Sequence, residues 1–175
     1  KLKQLAELEW IRDSFFELEK ENGHERLYFE LAAGMPDPDR RDDNSAKKPV
    51  EIDLGDGIKF FTRGSVDRVD RADNGLILYD YKTGSSKSST ADDPFNGGEL
   101  TQAGLYPLMV EKVLGHTGNS LFRYYYTSRK GGFGKTDIPF DKTNRELFEH
   151  FMKGLIGEIK RGNFVPNPSF NNYEK

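Results

Sequence analysis

The sequence predicts an α/β domain, a mixed sheet with an antiparallel meander flanked by helices. Three observations predict it. Apolar residues recur at helical spacing near both ends of the chain and once in its middle. Between positions 26 and 82, short runs rich in β-branched and aromatic residues alternate with tight-turn residues. A further run of the same kind, 121–128, follows the middle helix.

Each element has its own warrant. In 2–22, Leu8, Ile11, Phe15 and Leu18 form a core-facing stripe, and Gly23 is placed to end the helix. His24 follows in an exposed polar turn. In 26–32, Leu27, Phe29 and Leu31 alternate against Tyr28 and Glu30, as in a half-buried strand. The polar, proline-bearing stretch 33–49, with Pro36, Pro38, Asp39 and Arg40, reads as a mobile loop. Strands 50–54 and 58–62 flank Gly55-Asp56-Gly57, a strong hairpin signal, and lead straight into a strand beginning at Gly64. The turn Ala72-Asp73-Asn74-Gly75 then joins 64–69 to 76–82 as an antiparallel hairpin.

The serine-rich stretch 83–98 reads equally as a plain flexible loop or as one that closes with Lys87 meeting a phosphate. Helix 99–114 contains Pro107, which removes a backbone donor and is expected to kink or divide it. Strand 121–128, with Phe122, Tyr124 and Tyr126 on one face, joins the sheet beside 76–82. Arg129, Lys130 and Lys135, spaced by glycines, are the one local basic patch near aromatics and read as a solvated turn or a phosphate-contacting loop. Thr143 and Glu146 make a capping box that opens a last helix through Leu147, Phe151, Leu155 and Ile159 to Gly162. The tail, with Pro166 and Pro168, shows no periodicity.

A length of 175 residues suits one domain, 1–175, with a real core. The first residue is Lys rather than Met, so a piece of a longer chain is expected. A net charge of −3 gives no global basic field, so contact with nucleic acid must be local and metal-assisted. The absence of cysteine removes disulfides and thiolate metal sites, and fits a reducing, cytoplasmic setting. No apolar run reaches membrane-spanning length, and no signal peptide is visible.

The chemistry concentrates in 64–84. The hairpin sets Asp67 beside Asp80, and Asp80 and Lys82, two apart on a strand, share a face. Clustered carboxylates repel unless a cation or a shared proton compensates. Oxygen ligands without sulfur or histidine suit Mg²⁺ or Mn²⁺. Such a cation would stabilise charge developing on a phosphoryl oxygen while Lys82 orients or helps deprotonate water, which implies phosphodiester hydrolysis. On the opposite face Arg68 and Asp70 read as a surface salt bridge worth little. Asp73 reads as turn chemistry, and Tyr79 and Tyr81 as packing.

Three blocks in order, Gly64-x-x-Asp67-Arg68-Val69-Asp70, Asp80-Tyr81-Lys82-Thr83-Gly84 and Gln102-x-x-x-Tyr106, resemble the RecB-type branch of the PD-(D/E)XK nuclease superfamily. The resemblance covers 27–114 directly. It implies a restriction-endonuclease-like core and a Mg²⁺- or Mn²⁺-dependent deoxyribonuclease, an exonuclease acting on single-stranded or duplex DNA ends in repair or recombination, with a helicase domain or subunit as partner. It implies Asp67 and Asp80 as metal ligands, joined by the main chain of Tyr81, with Lys82 orienting water. It offers Glu30 as an additional ligand, although a solvent-facing strand glutamate fits equally. Gln102 and Tyr106, four apart on one helical face, would hold substrate; from the residues alone Tyr106 is a core aromatic with a polar tip. Many relatives carry cluster-ligating cysteines past the last helix, and an iron-sulfur cluster is not supported in a chain without cysteine. A histidine frequent ahead of the sheet is missing. Two other readings stay open: a nuclease-fold scaffold or DNA-binding module with an incomplete metal site, and an enzyme of similar carboxylate site acting on RNA or a nucleotide.

Overall fold

The computed structural model describes residues 2–20, 22–36 and 41–163. Helix α1 (Leu2–Lys20) is followed by strands β1 (Glu25–Ala33), β2 (Val50–Asp53), β3 (Lys59–Thr62), β4 (Gly64–Ala72) and β5 (Gly75–Lys82). A 3₁₀ turn at Asn96–Gly98 precedes helix α2 (Gln102–Leu114), and strands β6 (Ser120–Tyr126) and β7 (Lys135–Phe140) and helix α3 (Lys142–Lys160) complete the order. Five strands form one mixed sheet in the order β1-β4-β5-β6-β7, antiparallel throughout except for the β5–β6 pair. A parallel pair needs a crossover, which residues 83–119 supply through α2.

The strands β2 and β3 pair as expected around Gly55-Asp56-Gly57 but form a separate two-stranded sheet instead of extending the meander. Ile52 and Leu54 anchor them to the main core, and Phe61 is 70% exposed. The strand β7 was not anticipated, because Pro139 argues against a strand; β7 is a sheet edge, where the missing donor is tolerated. The helix α2 runs through the buried Pro107 without division. Pro107 is its sixth residue, so only the first-turn carbonyl of Ala103 loses a helical donor.

The loops are more anchored than their composition suggests. Ala46 N donates to Ala32 O and Gly34 N to Ala46 O, both at 2.9 Å. Pro38, Asp39 and Arg40 lie outside the described residues, as do Pro166 and Pro168. The expected flexibility of 83–98 is reduced at Lys87. Its N–H donates to Tyr126 Oη at 2.9 Å, its carbonyl accepts from Thr136 Oγ1 at 2.7 Å, and its ammonium pairs with Glu99 at 3.0 Å. His24 is half-buried, not exposed.

One sheet face packs on α2 and α3, with Leu78, Met109, Phe122, Ile138, Phe140 and Phe148 in a large apolar cluster. The α3 N-cap is Asp141, whose Oδ1 accepts from Asn144 N at 3.0 Å, rather than the anticipated Thr143. Phe148 and Met152 are the buried side chains of α3, whereas the expected stripe of Leu147, Phe151, Leu155 and Ile159 is 36–48% exposed. Gly104 decides this, because a Cβ there would lie 2.3 Å from the Phe148 ring. Replacing Gly104 with Ala is expected to destabilise the fold by about 1–3 kcal/mol through overpacking, read as a lowered denaturation midpoint with an unchanged slope.

The helix α1 covers the other face. Phe15 and Leu18 pack on Ile77, Tyr79 and Tyr125, while Leu8 is 62% exposed, so only part of the anticipated stripe is covered. Under α1 lies an ion cluster where a surface pair was expected. Arg68 and Asp70 are 2% and 0% exposed, with Arg68 Nε and Nη2 donating to the Asp70 carboxylate at 2.6 and 2.5 Å. Arg68 Nη1 donates to Glu19 Oε2 at 2.7 Å, and Arg26 Nη2 reaches the same oxygen at 2.9 Å. Strand alternation assigns residues to faces but does not say which face a helix will cover.

Burial alone would raise the Glu19 pKa, but hydrogen bonds from Arg26 and Arg68 outweigh it and hold the carboxyl below its usual range. A folded-state value below the unfolded one gives stability that is present above the unfolded pKa, about 4.3, and lost as pH falls through the folded value. Glu19→Gln is therefore expected to flatten the fall of melting temperature below about pH 4.3, at some loss of stability near neutrality.

Candidate active site

The site lies where the pairing of β4 and β5 stops. Their Cα pairs run from Ala72↔Gly75 to Arg68↔Tyr79, and the Tyr81 amide then donates to the carboxylate of Asp67, Oδ2, at 2.6 Å. Val66 and Val69, three apart, both belong to the α2-side cluster, so the alternation of β4 slips once between them, at Asp67 or its neighbour. The strand β1 slips at the same level. Tyr28 and Leu31 both pack in that cluster, and Glu30 between them has φ +53°, left-handed for a non-glycine residue. Glu30 sits between the pairs Phe29↔Arg68 and Leu31↔Val66, level with Asp67. The simple alternation expected for 26–32 fails here, and Phe29 is 56% exposed.

The strand β5 stays regular, so Asp80 and Lys82 share the α2 side, and Asp80 stands beside Tyr124 across the parallel pair. The Lys82 ammonium abuts Asp80 Oδ2 and donates to Gln102 Oε1 at 3.1 Å. Gln102 Nε2 in turn donates to Tyr106 Oη at 2.9 Å, one helical turn along α2. Tyr124 lies with its ring centroid 5.6 Å from Lys82 Nζ. Strand and helix thus hold Asp80, Lys82, Gln102 and Tyr106 in one contact chain, with Asp67 at its edge.

Burial pushes the Asp80 carboxyl up; Lys82 opposes this, and Asp67 adds to it. Asp80 is 6% exposed, and its buried Oδ2 lies against the Lys82 ammonium. Burial likewise raises the Tyr106 hydroxyl, which Gln102 opposes and the two carboxylates reinforce. A cavity of about 300 Å³ opens beside Lys82, lined by Lys87, Glu99, Gln102, Tyr124 and Tyr126.

With this geometry in view, comparison of the whole chain with protein-family descriptions is decisive: residues 2–171 match the PD-(D/E)XK nuclease superfamily. The chain belongs to the PD-(D/E)XK nuclease superfamily. No curated protein sequence matches it. The α/β fold, a five-stranded mixed sheet flanked by helices, is that of the restriction-endonuclease-like PD-(D/E)XK proteins, and no described helix is long and apolar enough to cross a membrane.

PD-(D/E)XK nucleases typically use divalent metals, and the donors here suit one. Asp67 and Asp80 offer hard carboxylate oxygens, and the buried Asp80 Oδ2 has Lys82 as its partner and, among the described residues, no other hydrogen-bond donor. The Tyr81 N–H points at Asp67, and on an extended strand the carbonyl of the same residue points to the same side. The structure does not bring Glu30 into this group. Its Oε2 accepts from Ser65 Oγ at 3.2 Å on an exposed surface, and among the described residues no three His, Cys, Asp or Glu side chains are placed to share a metal. Tyr124, which sequence reasoning placed on one strand face with Phe122 and Tyr126 and gave no role, adjoins Lys82 because the β5–β6 register sets it opposite Asp80; its sequence signal is only the aromatic alternation of 121–128.

Proposed function

We propose that this chain is a RecB-type, Mg²⁺- or Mn²⁺-dependent deoxyribonuclease, one domain that trims DNA ends beside a helicase partner during cytoplasmic DNA repair or recombination. The observation that carries the reading is Asp67 fixed on the Tyr81 amide beside the ion pair of buried Asp80 with partly exposed Lys82, the three residues of the motif blocks in one place. Asp67, Asp80 and the Tyr81 carbonyl would hold the cation, which supplies Lewis-acid stabilisation of the scissile phosphate. Lys82, flanked by Asp80 and Gln102, orients the attacking water, and its positive charge favours loss of the water's proton to solvent. Gln102 and Tyr106 hold the substrate phosphate through amide and hydroxyl donors. The cavity beside Lys82 is large enough to receive the nucleotide next to the cut.

The test is degradation of end-labelled single- and double-stranded DNA with Mg²⁺ or Mn²⁺, against the chain carrying Lys82→Ala. Metal-dependent cutting lost in the variant supports the site; an uncleaved substrate with the unmodified chain overturns the reading. A second reading, a nuclease-fold scaffold, is favoured by the two-carboxylate metal set. It requires that calorimetry show no saturable Mn²⁺ binding.

A smaller substitution probes the contact chain. A Cβ at Gly64 would lie 3.1 Å from the Tyr106 ring. Gly64→Ala should push Tyr106 and Gln102 away from Lys82 and lower the cleavage rate roughly tenfold, in line with the sensitivity of catalysis to small misplacements. Circular dichroism should show the fold retained.

A further inference from the structure

The loop 127–134 between β6 and β7 is stitched to the residues that follow Lys82. Thr127 N donates to Lys82 O and Ser128 Oγ to Thr83 O, both at 2.9 Å, and a Cβ at Gly131 would lie 2.8 Å from Gly84 O. On the α1 side of this loop the rings of Trp10 and Phe133 meet edge to face with centroids 4.8 Å apart, and the Arg129 guanidinium carbon lies 4.1 Å from the Trp10 centroid. Phe133 holds φ +50°, a left-handed conformation that a phenylalanine adopts only where its surroundings enforce it. Trp10 remains 38% exposed, and Arg129, Lys130 and Lys135 are exposed. Lys135 lies two residues from Asp137, which pairs with Arg123 under α1, so it faces the same side.

Among the described residues, Arg129, Lys130 and Lys135 form no ion pair, in a chain whose net charge is −3. The nearby α1 carboxylates Glu9 and Asp13 act on Arg12 instead. Three cations without ion-pair partners around the partly exposed rings of Trp10 and Phe133 suit a polyanion whose bases have open faces: phosphates release counterions on meeting the cations, and an unstacked base lies on the part of Trp10 that Arg129 and Phe133 leave open. A duplex buries its base faces, so a single strand is the matching occupant.

We propose that Trp10, Phe133, Arg129, Lys130 and Lys135 form a track for single-stranded DNA running from the end of β5 onto the α1 face. The track rests on the nuclease reading above, since it is continuous with Thr83 and Gly84. Its phosphates would lie on Arg129, Lys130 and Lys135, and a base on the exposed part of Trp10.

Trp10 is the single tryptophan of the chain, so its fluorescence reports the track directly. Titrating the full chain with oligo-dT in EDTA, where no metal-dependent cutting occurs, should quench that fluorescence. Lys130→Gln with Lys135→Gln, which leaves the ring stack intact, should weaken binding several-fold. It should also reduce the slope of log affinity against log salt by roughly 1.4, two contacts at about 0.7 each, at unchanged melting temperature. Trp10→Ala should weaken binding roughly tenfold. Hydrolysis of thymidine 5′-(p-nitrophenyl) phosphate, too short to reach the track, should match that of the unmodified chain in both variants. Unquenched fluorescence, or an affinity and salt slope that the double variant leaves unchanged, would overturn the track. If the unmodified chain hydrolyses neither DNA nor the short ester, the nuclease reading fails by itself, and the binding measurements still decide the track.

Discussion

Asp80→Asn is expected to reduce metal-dependent DNA cleavage by roughly 10³-fold or more, while the protein melts at the same or a higher temperature. A Lewis-acid cation contributes several kcal/mol to the transition state, and each 1.36 kcal/mol is about tenfold in rate. Asparagine keeps the volume of Asp80 but offers no negative charge to a cation. The stability half of the expectation follows from the upward shift of the carboxyl: burial, with Asp67 reinforcing it, disfavours the ion more than Lys82 favours it. Removing that charge relieves the fold of a group it accommodates poorly. Cleavage, Mn²⁺ calorimetry and a thermal melt of the same preparation check both halves, and cleavage within tenfold of the unmodified chain would contradict the assignment.

Arg68→Met is expected to destabilise the protein by about 3–5 kcal/mol, because it leaves Asp70 fully buried with its bidentate partner gone. For a chain of this size that corresponds to a fall of roughly 10 °C in the melting midpoint. Adding Asp70→Leu should restore much of the loss, since replacing a whole buried pair with apolar residues is often neutral while breaking it is not. A double variant as unstable as the single one would place the effect elsewhere, in the stacking of Arg68 on Tyr79, whose centroid is 4.6 Å away.

The arrangement of Asp80, Lys82, Gln102 and Tyr106 was legible because local rules produce it: period two on a regular strand, and four residues per contact on a helix. The crossover strand 121–128 was also placed beside β5. The slip at Glu30 and Asp67 was not legible, since a residue that breaks alternation leaves the sequence pattern of its strand unchanged. The burial of Arg68 and Asp70 depends on where α1 lands, 49 residues away from Glu19 to Arg68. The helix α3 carries two neighbouring apolar stripes, and the choice of Phe148 over Leu147 is made by the gap at Gly104, on a different helix. In each miss the deciding atom belongs to another element.

The order of α1 ahead of the sheet strands bears on how the protein is made. Glu19 of α1 contacts Arg68, and Asn22, just past the helix, contacts Arg123, 101 residues away. Because α1 precedes the sheet strands in the chain, it waits until β6 has been synthesised before its docking surface is complete. During that wait the uncovered sheet face presents Arg68 and Asp70 to water beside Ile77 and Tyr79, so it carries charge where a wholly apolar face would invite association with other nascent chains. The ion cluster that looks like a stability device in the finished fold is, during synthesis, a guard on an open sheet.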